Sequence, residues 1–182
     1  MKRLLTLAIA IIALTSCNSE PSLQKYFVES QEKKDFLSLD IGSSILQVKE
    51  ESLTPDQRAA LKTFERVNVL AFTRNDSNAS EYKAESEKVK QMLKTDKYQE
   101  LMHFGSGKDG GSISYVGADD DIEEFVIFAN RKDNGFAVIR VLGDGMSPNA
   151  IMQMLPVLQS SKLDIEQLKP LQQIMQPKAI QD

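Results

Sequence analysis

Cys17, His103 and the acidic run Asp119-Asp120-Asp121, with Glu123 and Glu124 beside it, carry the side chains of widest chemical reach in this 182-residue sequence. A lone histidine can act as a base, but it needs a positioned nucleophile or metal and a carboxylate that orients it. No serine stands in a Gly-x-Ser-x-Gly setting, and no second histidine completes a zinc pair. His103 therefore reads as a partly exposed strand residue. A hard cation such as Ca²⁺ would suit Asp119, Asp120, Asp121 and Glu123. Their spacing lacks the alternating acids and the sixth-position glycine of an EF-hand loop. Carboxylates packed this closely on a turn between strands read as a solvated loop that keeps sheet edges apart. Gly105 to Gly111 lacks the Gly-Lys-Ser/Thr order of a phosphate-binding loop and leads into a strand, so it reads as a hairpin loop. The expectation is a chain with no catalytic set, no bound metal and no other cofactor.

Cys17 is the only cysteine, so it has no disulfide partner within the chain. The residues before it suggest another chemistry. Lys2 and Arg3 form a basic start, and Leu4 to Leu14 is an apolar run broken only by Thr6. This is the layout of a secretory signal. Eleven positions are too few to span a bilayer, which takes roughly 20 apolar residues. Leu14-Thr15-Ser16-Cys17, an aliphatic residue and two small ones before cysteine, resembles the bacterial lipobox. The resemblance implies cleavage before Cys17, a diacylglycerol on its thiol and a palmitate-type acyl chain on the freed amine. Each buried CH₂ adds about 0.8 kcal/mol and a single chain holds only marginally, so several chains make a lasting anchor. Residues 1–16 then read as signal peptide, 17–34 as lipidated cysteine and tether, and 35–178 as a single domain. The expected location is the cell envelope, on the outer membrane. Surface-exported lipoproteins of this type resemble one another in carrying acidic residues just after the cysteine. Asn18-Ser19-Glu20-Pro21 has a single acid, which favours the periplasmic side.

Without its first sixteen residues the chain has 20 basic and 26 acidic residues, a net charge of −6. Such a chain is a poor partner for nucleic acid, where affinity comes from Lys and Arg neutralising phosphates. It is also poorly suited to hold anionic lipid by overall charge. There is no tryptophan, which argues against a carbohydrate-binding platform. With no disulfide, a core drawn from about 145 residues has to stabilise the fold, and that length suffices for one domain.

The elements that must position these residues follow from period and punctuation. Leu23, Tyr26, Phe27 and Val28 in the tether could form a short helix that docks on the domain. Phe36–Ile41 is strand-like and Gly42-Ser43-Ser44 ends it. Thr54-Pro55-Asp56-Gln57 opens a helix with a capping box, its inner face Ala60, Leu61 and Phe64, ending near Arg66. Val67–Phe72 is a strand, and 80–95 a helix whose thin apolar stripe is Tyr82, Val89, Met92 and Leu93. Four short runs follow, 98–104, 113–116, 124–129 and 136–142, separated by Gly, Asn and Asp clusters; they form an antiparallel meander. The last two are apolar on both faces, which calls for cover on both sides. Arg140 among them must reach solvent or find a carboxylate. Ser147 caps a helix that Pro156 would bend or end, and Asp164–Gln176 is a further amphipathic stretch. Met146, Met152, Met154 and Met175 read as core filler at helical spacing. The fold class is α+β, with helices packed on an antiparallel sheet of about five or six strands.

Phe36-Leu37-Ser38-Leu39-Asp40-Ile41, Asn68-Val69-Leu70-Ala71-Phe72, Tyr98-Gln99-Glu100-Leu101-Met102, Glu123-Glu124-Phe125-Val126-Ile127-Phe128 and Val138-Ile139-Arg140-Val141-Leu142-Gly143-Asp144, behind a lipobox, resemble a family of Bacteroidetes-type envelope lipoproteins known as domain of unknown function 4252 (DUF4252). The resemblance spans nearly the whole mature chain and implies a shared fold. It brings no activity, cofactor or catalytic residue with it. The functional expectation is a lipid-anchored, non-catalytic binding module, held at the membrane by its N-terminal lipid and meeting an envelope protein or a small ligand. No nucleic-acid partner is expected, and the oligomeric state is not assigned. The alternative is an envelope-stress regulatory component linked to a sigma-factor circuit, a setting that the family resemblance suggests. Behind both stands a metal protein or enzyme using His103 or the Asp119–Glu124 turn.

Overall fold

Short runs rich in apolar residues, some alternating and some apolar on both faces, become six strands of one antiparallel sheet, in the spatial order β1-β2-β6-β5-β4-β3. They are β1 (Phe36–Gly42), β2 (Phe64–Thr73), β3 (Gln99–Ser106), β4 (Asp109–Ala118), β5 (Asp121–Arg131) and β6 (Gly135–Met146). The computed structural model describes residues 22–42, 51, 53–106 and 109–160, with the backbone alone for 155–160. Cys17 and its signal, and the 164–176 stretch with Met175, lie outside the described residues. The last four strands form the expected meander. β2 then takes the free side of β6, pairing Val69 with Ile139 and Phe72 with Phe136, and β1 closes the sheet on β2.

Four helices lie among the described residues: α1 (Leu23–Ser30), α2 (Pro55–Lys62), α3 (Ala79–Leu93) and α4 (Pro148–Ser160). Strands apolar on both faces are covered on both, as their sequence requires. On one face α1 and α3 bury Leu23, Tyr26, Phe27, Tyr82, Val89 and Met92 against Leu70, Phe72, Val126, Phe128, Phe136 and Val138. On the other, α2 and α4 bury Ala60, Ala150, Ile151 and Met154 against Phe64, Phe125, Val141 and Met146. The densest packing is aromatic. Phe36, Phe72 and Phe136 are neighbours across three strands, with Phe72 and Phe136 stacked at 5.6 Å and Phe36 edge-on to Phe72 at 5.0 Å. Gly135 next to them has φ +132, and a Cβ there would collide with the Phe72 carbonyl oxygen, so the tight β5–β6 turn requires glycine.

Capping chemistry decides the helix starts. Thr54 Oγ1 accepts from Gln57 N–H at 3.2 Å, and Gln57 Oε1 accepts from Thr54 N–H at 3.0 Å, the reciprocal pair anticipated for α2. Ser147 Oγ accepts from Ala150 N–H at 3.2 Å at the start of α4. Other expectations shift. Phe64 belongs to β2 and not to the helix before it, because α2 closes at Thr63, whose hydroxyl bonds back to Ala60 O. The docking helix that Leu23, Tyr26, Phe27 and Val28 could form is α1, with Leu23 fully buried and Tyr26 and Phe27 nearly so; the packed unit therefore starts before residue 35. α4 continues past Pro156 to Ser160. The loss there is one backbone donor, not the helix. Met146 and Met154 are core, but Met152 is 58% exposed.

Candidate functional site

β3 is the outer edge of the meander, and each of its residues is exposed. Its register holds the key to a hollow on the α3 face of the sheet. Glu100 pairs with Ser114, but Met102 pairs with Ile113, so Leu101 is an extra residue, a β-bulge. In an unbroken strand Glu100 and His103 would point to opposite faces. The bulge turns both to one face, where His103 is the cross-strand partner of Ser112 and Glu100 that of Ser114. Serines 112 and 114 alternate with Ile113 and Tyr115, so the strand's pleat sends the hydroxyls to the α3 side and the apolar pair to the α4 side.

The resulting hollow has a volume of about 250 Å³, with Ser112, Ser114 and Phe128 in its lining, His103 and Glu100 on the edge strand, and Lys90, Leu93 and Lys94 from the last turns of α3. Ser112 and Ser114 are 9% and 2% exposed. Among the described residues neither hydroxyl makes a hydrogen bond, and no hydrogen bond joins His103 to a serine. Asn130 closes one wall: its Oδ1 accepts from Tyr82 Oη at 2.7 Å and Ser86 Oγ at 3.2 Å, pinning β5 to α3. Burial pushes the Tyr82 hydroxyl up from its ordinary pKa. Beyond this wall lies a second hollow, sharing Lys90 and Asn130 and adding Arg74, Lys83, Glu87 and Lys132.

A separate groove of about 510 Å³ runs beneath α1. Arg140 found its carboxylate there: Nε donates to Glu124 Oε1 at 2.7 Å, with the guanidinium 5.4 Å from the Phe27 ring centroid. Burial, and next the charge of Glu124, push the Tyr98 hydroxyl up to about 12. The groove mixes signs, with Asp40, Glu65 and Glu123 against Arg66 and Lys97.

The acidic run disperses. Asp119 accepts from the Tyr115 hydroxyl at 2.6 Å, Asp120 and Asp121 are exposed at the turn into β5, Glu123 is exposed beside the groove, and Glu124 is buried with Arg140. Among the described residues no three of His, Cys, Asp and Glu gather into a group that could hold a metal ion. His103 is exposed on its edge strand. Sequence reasoning missed the hollow itself. The Ser112-Ile113-Ser114-Tyr115 alternation was a visible signal; the bulge at Leu101 was not, because two adjacent apolar residues fit either register. Among the described residues, no helix is long and apolar enough to cross a membrane.

A family model described as Domain of unknown function (DUF4252) matches residues 26–154, from within α1 into α4. No curated protein and no solved structure matches the chain.

Proposed function

The chain belongs to the DUF4252 family, and we propose that it serves as a lipid-anchored, non-catalytic binding module of the cell envelope. The hollow between α3 and the bulged edge strand carries the binding part of this reading. It offers the hydroxyls of Ser112 and Ser114, which bond to no described residue, beside a histidine and two lysines, and among the described residues no base–nucleophile hydrogen bond. Such a concave site with a few convergent polar groups is suited to hold a small ligand. The anchoring part is supported by Lys2-Arg3, the apolar run to Leu14 and Leu14-Thr15-Ser16-Cys17. α1 begins at Leu23, so only a few residues separate Cys17 from the packed unit, which would sit close to the bilayer surface.

Fractionation with an acyl label tests the anchor. The full chain should sediment with membranes and take up label, and Cys17→Ala should do neither. A Cys17→Ala chain that stays labelled and membrane-bound would remove the anchor. Turnover of any substrate by the purified protein would remove the non-catalytic reading.

A further inference from the structure

Resting on the reading of the hollow as a binding site, we propose that it is an anion site that takes a phosphate-bearing ligand. The chain as a whole is acidic, with a net charge of −4. Its local charge here is the reverse. Lys90 and Lys94 stand on the α3 side and His103 faces them from β3; Glu100 is the acid in the lining, and Glu87 lies 3.9 Å from the Lys90 ammonium at the rim in a loose, solvent-exposed pair. The adjoining hollow continues the cationic row with Lys83 and Lys132, against Glu87. Positive charge concentrated in a concave wall focuses field on the hollow even when the protein's net charge is negative.

The floor supplies the second part of the recognition. Ser112 and Ser114 are more than nine-tenths buried, yet their hydroxyls open on the hollow without a hydrogen bond to any described residue. A hydroxyl donates one hydrogen bond, and a phosphate oxygen is a strong acceptor. The C-terminal end of α3 works against an anion, and two of its carbonyls are partly offset by hydrogen bonds. Gln91 O accepts from Lys94 N–H at 3.2 Å, and Met92 O accepts from the Thr95 hydroxyl at 2.9 Å. A space of about 250 Å³ far exceeds the roughly 30 Å³ share of one water. It therefore has room for a phosphate with a small organic group attached. The phosphate could belong to a soluble ester or to a lipid headgroup, since the recognising chemistry is the same.

His103 is the only histidine, so its ring gives a single set of NMR signals. The full chain in phosphatidylcholine nanodiscs, titrated with inorganic phosphate, should show those signals moving to saturation. Lys90→Glu with Lys94→Glu should weaken the response by about tenfold or more, two reversed charges acting at close range in partly screened water. A response to free phosphate supports the site with a soluble ester as ligand. A response that appears only when phosphatidylglycerol is built into the disc supports it with a headgroup as ligand. No response in either arm, or one that survives both charge reversals, overturns the proposal. Native mass spectrometry of the envelope-purified protein separates the two failures. A non-anionic adduct lost on Ser112→Val would leave a binding site and overturn only the phosphate assignment; no adduct and no NMR response would overturn both.

Discussion

Arg140 Nε donates to Glu124 Oε1 at 2.7 Å, with the two side chains 8% and 7% exposed. They lie diagonally across the β5–β6 pair, and the Phe27 ring of α1 lies over the guanidinium. A pair this deep is costly to break from one side, because the remaining charge stays buried without a counter-charge. Glu124→Ala is expected to cost about 3–5 kcal/mol in denaturant unfolding. The double replacement Glu124→Leu with Arg140→Met should recover most of that, since an apolar pair of similar volume carries no desolvation cost. A loss below about 1 kcal/mol for Glu124→Ala would mean that the guanidinium reaches water unaided.

The stack of Phe72 on Phe136, both fully buried, ties β2 to β6 and so joins the β1–β2 pair to the meander. Phe136→Ala should cost about 3–5 kcal/mol, the range for emptying a large core site. Phe136→Leu should cost clearly less, because it keeps most of the volume. Thermal melts of the two variants decide this; equal losses would show that ring stacking, and not volume, holds the junction.

Much of this architecture was legible in local chemistry. The capping box at Thr54 and Gln57 and the turn clusters between strands set element ends through backbone hydrogen bonds, which sequence spacing records directly. Arg140 announced its own need for a carboxylate, since a charge in a both-face apolar strand has few ways to be satisfied. The partner's identity was not legible: Glu124 was grouped with Asp119–Glu123 by sequence proximity, while the register shift at Glu123 leaves that residue exposed and sets Glu124 into the sheet, diagonal to Arg140. The insertion of β2 next to β6 was also hidden, because both neighbours of an apolar strand satisfy it equally. The hollow escaped for a third reason. It depends on a one-residue register shift at Leu101 that no residue type in β3 demands.

Between α1 and α3, Lys33 Nζ donates to Glu85 Oε1 at 2.9 Å. Burial would raise the Glu85 pKa, but the Lys33 ammonium, with help from the Tyr26 hydroxyl and Lys88, holds the carboxyl below its ordinary value of 4.5. A folded pKa below the unfolded one lends stability that is present above the unfolded value and is lost as pH falls through the folded one. The wild-type protein should therefore lose stability below pH 4.5 more steeply than Lys33→Ala or Glu85→Gln. Parallel acid-unfolding curves for the three proteins would refute the coupling.

Tyr98 presents the opposite sign. Its hydroxyl is buried without a close hydrogen bond to a described residue, and burial together with the Glu124 charge pushes its pKa from 10.0 up to about 12. The neutral form is the one the fold accepts, so the stability tied to it is fully present below pH 10 and drains away as pH rises towards 12. Tyr98→Phe removes both the ionisation and an unsatisfied polar atom while keeping the ring that packs against α1 and β5. Near neutral pH the variant should be as stable as the wild type or slightly more so, since removing an unpaired buried hydroxyl relieves a desolvation cost of about 1–3 kcal/mol against a small change in packing. At alkaline pH the two should diverge, with the phenylalanine variant keeping its stability through the window in which the wild type loses it. Urea unfolding at neutral pH and at successive steps from pH 10 to 12 reads both effects. A variant markedly less stable at neutral pH would show instead that the hydroxyl is satisfied, by water or by the Leu23 backbone at the start of α1, and that α1 is held to the sheet partly through it.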